Sequence, residues 1–98
     1  MSNNANNNIV SRSYSSVSAN YNVLAPDYFV LCTANSFNVT LPTAVGKQNK
    51  IYEIKNAGSG TISLLTTGGQ TIDGESSQQI LSGECLTVLS NNANWFVV

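Results

Sequence analysis

The sequence predicts an all-β fold: a small antiparallel β-sandwich or barrel with an extended N-terminal arm. Three observations predict it. Apolar and polar residues alternate with a period of two in several short segments, as they do in half-buried strands. Turn-forming residues recur between those segments at short intervals. No window carries the helical period of about 3.6 residues.

The elements follow in order. Residues 1–13 are rich in Asn and Ser and have no periodicity. They read as an arm, because so little apolar surface cannot offset the entropy of ordering the chain. Ile9 and Val10 are the adjacent apolar pair within it and are its expected assembly contacts. The β domain covers residues 14–98. Val17, Ala19, Tyr21 and Val23 alternate with polar residues, and Ala25-Pro26-Asp27 makes a turn. The apolar run Tyr28 to Thr33 is short enough for a strand buried on both faces. Phe37, Val39 and Leu41 alternate up to Pro42, and residues 42–49 hold at most one helical turn because of Gly46.

Lys50 to Lys55 reads as a strand with Tyr52 and Ile54 on one face, and Thr61 to Thr66 as another. Gly58-Ser59-Gly60 and Gly68-Gly69 read as hairpin loops, and Asp73-Gly74 as a tight turn with positive φ. Short strands over Gln78 to Leu81 and Glu84 to Ser90 lead to the turn at residues 91–94 and a closing strand, Trp95 to Val98. Trp95 and Phe96 point to opposite faces of that strand. At least one of them is expected to face another sheet or another subunit, since exposing both would leave an adhesive patch.

Composition narrows the function. Charged residues make up 9% of the chain, where roughly 25% is usual. Asn, Ser, Thr and Gln together supply 39 of the 98 residues and replace the missing charge. A net charge of −1 provides no basic face for phosphates, which argues against nucleic-acid binding. Weak mutual repulsion tolerates close self-association. No apolar run approaches the ~20 residues needed to span a bilayer, so no membrane insertion is expected. The N-terminus does not read as a signal peptide, so synthesis in a cytoplasm is expected. Cys32 and Cys85 match no metal or redox spacing and read as two buried reduced thiols, with a cross-strand disulfide as the alternative.

Little points to catalysis. The chain has no histidine, which removes the commonest general base and the common nucleophile systems. Asp73 and Glu75 flank Gly74, but a turn explains them better than a calcium loop or a carboxylate pair would. Lys47, Lys50 and Lys55 read as a solvated edge. The expectation is a module that is not an enzyme, with no catalytic residues, no cofactor and no metal.

Four segments carry a family resemblance: DYFVL, NVTLPTAVGKQNKIYEIKN, TTGGQTIDG and the terminal NNANWFVV. Taken in order from Tyr21 to Val98, they resemble a β domain that recurs in bacteriophage tail fibres and other virion proteins. The resemblance implies a β domain on a particle exterior, often trimeric. The apolar C-terminal strand, low charge and small domain size add the expectation of a homotrimer. Contact with other virion proteins such as the major capsid protein is expected in a virion assembled in the bacterial cytoplasm. Three functions fit: a capsid decoration protein, whose arm lies on the shell; the receptor-binding tip of a tail fibre, touching host-surface carbohydrate; and another small module, such as a carbohydrate-binding domain or a head–tail component. The absence of shaft repeats ahead of the domain favours decoration. Trp95 and Phe96 join Ile9 and Val10 as the expected assembly contacts.

Overall fold

The structure, a computed structural model, describes residues 12–98. The expected arm, including Ile9 and Val10, lies outside the described residues except for Arg12 and Ser13. Among the described residues every regular element is a strand. They are β1 (Tyr14–Val17), β2 (Tyr21–Asn22), β3 (Phe29–Cys32), β4 (Asn38–Thr40), β5 (Ile51–Asn56), β6 (Ile62–Leu65), β7 (Ser77–Ile80), β8 (Cys85–Ser90) and β9 (Trp95–Val97). Residues 42–49, which the sequence limits to one helical turn at most, form a bend and turns.

The strands form a five-stranded sheet, in the order β1-β3-β5-β8-β9, and a four-stranded sheet, β2-β4-β6-β7. The expectation of antiparallel pairing is corrected here. β1, β3 and β5 pair in parallel, as do β2, β4 and β6. Only β5–β8, β6–β7 and β8–β9 are antiparallel. The first six strands alternate between the sheets, so the chain winds as three stacked coils, β1β2, β3β4 and β5β6. The last three strands extend the stack beyond β5 and β6 by antiparallel pairing. Each parallel partner lies one full coil away, as in a short solenoid.

The turn residues therefore do a different job from the one expected. Gly58-Ser59-Gly60 is a corner that carries the chain from one sheet to the other, not a hairpin loop. It stacks on the corner of the coil before it: Ser59 donates its amide hydrogen to Asn35 Oδ1 at 2.7 Å. A Cβ at Gly58 would collide with the Ala34 carbonyl. The segment from Val17 to Val23 breaks at a similar corner, between β1 and β2. The Asp73-Gly74 turn stands as expected, with φ of 51° and 86°, between the paired residues Ile72 and Glu75.

Inward residues of both sheets form one core around Val30, Val39, Tyr52, Ile54, Leu64, Val88 and Trp95. Tyr52 and Trp95 pack with ring centroids 5.5 Å apart. Three polar residues are buried with them: Asp27, Asn56 and Ser90. Each fastens a place where the chain changes direction. Asn56 donates through Nδ2 to the Gly60 and Ile80 carbonyls and accepts from the Gly58 amide. Ser90 donates to the Ala44 carbonyl at 2.7 Å and accepts from the Asn92 amide. Asp27 accepts from Ser15 Oγ, the Tyr21 hydroxyl and the Leu24 amide. Buried polar groups satisfied in this way hold a unique arrangement of coils rather than weakening the core.

Candidate assembly surface

Alternation along each strand sends every second residue outward. The strand register lines these residues up in rows. On the four-stranded sheet the outward rows are Asn22, Thr40, Leu65 and Ser77, then Asn38, Ser63 and Gln79. That face is neutral and hydrogen-bonding, with Leu65 its one apolar member.

The five-stranded sheet presents a different outer surface. One row is Ile51, Leu89 and Phe96. The next is Tyr14, Phe29, Glu53 and Thr87, and a third is Ser16, Leu31, Lys55 and Cys85. Tyr14 stacks on Phe29 with centroids 6.0 Å apart. Apart from Glu53 and Lys55 the rows carry no charge. Tyr14 is 63% exposed and Phe96 39%. The apolar run through Phe29 and Leu31 was expected to be buried on both faces. Only Val30 and Cys32 are fully buried, and Phe29 and Leu31 are half-buried on the outside. Apolar residues thus lie on either side of Glu53 and Lys55 on this outer face.

The expected site residues separate. Trp95 is fully buried in the chain's own core, while Phe96 lies on the outer apolar face. The sequence expectation missed Tyr14, Phe29, Leu31, Ile51 and Leu89 as members of that face. For Phe29 and Leu31 the signal was an apolar residue at every position of Tyr28 to Leu31, which one core alone does not require.

The cysteines also separate. Cys32 is buried, Cys85 is exposed and both are free, which corrects the expectation of two buried thiols. Cys32 points inward from β3, and Cys85 outward from β8 in the row of Lys55. They lie on opposite sides of the sheet, so the disulfide alternative has no geometry. Burial pushes the Cys32 thiol up to about 11. Partial burial, with the nearby Glu53 carboxylate, also raises Cys85, and Lys55 offsets part of this.

The lysines do not form one patch. Lys55 donates to the Gly83 carbonyl, and Lys50 lies 4.9 Å from the Tyr52 ring centre. Lys50 borders an open cavity of about 300 Å³, shared with Arg12, Tyr28 and Asn49. There Arg12 donates to the Tyr28 hydroxyl, which donates to Glu53 Oε2, each at 2.9 Å. These side chains satisfy one another, and the cavity gathers no nucleophile with a base. Among the described residues no group of three His, Cys, Asp or Glu side chains comes together as a metal site would need. No helix among them is long and apolar enough to cross a membrane.

Comparison with protein-family profiles, curated proteins and solved structures returns no match.

Proposed function

We propose that this chain is a structural protein of a bacteriophage particle, a decoration protein that sits on the capsid exterior. The observation that carries the reading is the contrast between its two outer faces. The apolar face of the five-stranded sheet suits contact with another virion protein such as the major capsid protein. The neutral Asn-, Ser- and Gln-bearing face suits exposure to solvent. The four resembling segments point the same way. They fall on β3, on β4 through β5, on the turn at Asp73 and on β9. In this reading the fold is a two-sheet sandwich with residues 1–13 contributing attachment. Copies cluster on the particle, three together being the arrangement expected from the resemblance. The protein acts by binding rather than by catalysis.

The second reading, the tip of a tail fibre, is favoured by the tyrosines at the surface, since Tyr14 offers an exposed ring that suits stacking on a sugar. Copy number in purified particles separates the two. On the order of hundreds of copies supports decoration, and on the order of tens or fewer supports a fibre. Absence of the chain from purified particles overturns both.

A further inference from the structure

The two ends of the coil stack are built differently. At one end the chain covers the edge of its own five-stranded sheet. Trp95 donates its amide hydrogen to the Thr71 carbonyl at 2.9 Å, and Asp73 donates to the Trp95 carbonyl at 3.0 Å. Val97 donates to Asp73 Oδ1 at 3.0 Å. Residues 71–73 thus lie along β9 as a short extra strand, bridged in parallel through Ile72 and Trp95.

At the other end, β1 and β2 are edge strands, one in each sheet. The Ser13 and Val17 carbonyls accept from the Phe29 and Thr33 amides. Alternation therefore turns the backbone N–H and C=O of Tyr14 and Ser16 away from β3. Val23 donates to the Thr40 carbonyl, which likewise turns the Asn22 backbone outward. Among the described residues no strand pairs with either edge. Edges are commonly protected by a lysine, a proline or a bulge, and neither Tyr14–Val17 nor Tyr21–Asn22 contains Lys or Pro. Asp27 ties the two strands together through Ser15 of β1 and Tyr21 of β2, so both edges are held in one fixed geometry.

We infer that this end is a docking edge for a second copy of the chain, joined by strand addition in both sheets at once. A partner must offer two edges with the same separation and offset. The open end of a second copy does so by symmetry. Its opposite end offers a different pair of edges, β7 and residues 71–73 laid along β9, which no symmetry operation matches to the open end. Open end against open end remains. A two-fold axis normal to the sheets pairs β1 antiparallel with its counterpart and β2 with its own, giving a closed, isologous contact. The net charge of −1 opposes the contact little. The inference does not depend on the chain belonging to a virion.

The test is sedimentation of the full chain from about 1 to 100 μM, alone and as Ser16→Pro. Proline at residue 16 removes an outward amide and leaves the β1–β3 hydrogen bonds in place. The expected result is a two-copy species, with association weakened about tenfold or more in Ser16→Pro while its circular dichroism stays that of the parent. Hydrogen exchange of the unaltered chain provides a readout that does not depend on the variant folding. Protection of the Ser16 amide should rise with concentration, while the Val97 amide is protected throughout. A single-copy chain at every concentration overturns the inference. So does a three-copy species indifferent to Ser16→Pro, or a Ser16 amide already protected in the single-copy chain. The three-copy outcome leaves the virion reading standing, and copy number in particles tests that reading separately.

Discussion

The Asp73 carboxylate accepts the amide hydrogen of Val97 at 3.0 Å, so a side chain stands where the next strand of the five-stranded sheet would lie. Asp73 also holds φ at 51°, a region costly for most residues and tolerated by Asp and Asn. Asp73→Ala removes both adaptations and should cost about 1–3 kcal/mol. Asp73→Asn retains an acceptor and the tolerance of positive φ, and should stay within about 1 kcal/mol of the parent. Urea unfolding of the two variants checks this. Equal losses would show that the carboxylate's charge, and not the cap, is what matters.

Asp27 is the anchor of the first coil. It is 5% exposed and accepts three hydrogen bonds, the shortest from the Tyr21 hydroxyl at 2.6 Å. Asp27→Ala leaves the Tyr21 hydroxyl and the Leu24 amide without their acceptor. It should destabilise the chain by about 2–4 kcal/mol. The loss should be local at first, with exchange quickening in β1 and β2 before β5. Uniform quickening across all strands would contradict the anchoring role.

The corner at Gly58 makes a steric prediction. Its backbone lies against the Ala34 carbonyl with no room for a Cβ. Gly58→Ala should cost about 1–3 kcal/mol. At Gly46 an added Cβ meets nothing within 4 Å, but φ is +80°, so Gly46→Ala costs only backbone strain of about 1 kcal/mol. Thermal melts of the two variants should rank in that order.

Much of this architecture was legible in the sequence, and the rest was hidden for definite reasons. Alternation placed Tyr52, Ile54, Val39 and Leu41 on the inner faces, because a period of two reports which side a residue faces. It does not report which strand lies alongside. The parallel pairing was hidden for that reason, and because the coils differ in length: Tyr14 pairs with Phe29, but Phe29 pairs with Glu53. No fixed repeat announces a solenoid of this kind. Corners and hairpins also draw on the same Gly, Pro, Asn and Asp residues, which is why Gly58-Ser59-Gly60 read as a hairpin loop where the fold makes a corner. Asp27 was read as a turn residue only. Its burial depends on Ser15 and Tyr21, and the fold must bring them to it.

Alkaline pH should unfold the protein, with a sign fixed by four groups. Burial pushes Cys32 up to about 11. It also raises Tyr21, aided by the Asp27 hydrogen bond and charge, as well as Tyr52 and Cys85. Each folded value lies above its ordinary value of 9.0 for cysteine or 10.0 for tyrosine. The folded state therefore favours the neutral forms. Their contribution is complete below those ordinary values and is lost as pH rises through the folded ones. Denaturant midpoints should be level up to about pH 8 and fall beyond about pH 9. Cys32→Ala should reduce the slope of that fall. A midpoint that rises with alkali would contradict the assignment.

On the proposed function the apolar outer face of the five-stranded sheet meets the particle, and Cys85 lies where it can report that contact. Cys85 is free, exposed and in the same outward row as Leu31 and Lys55, whereas Cys32 is buried. The measurement is the rate of maleimide labelling at one fixed pH, on the isolated chain and on the chain assembled in particles. The expected result is labelling of Cys85 alone in the isolated chain, and protection by about tenfold or more in the particle. Equal rates in both would show that this face points to solvent and would contradict the claim.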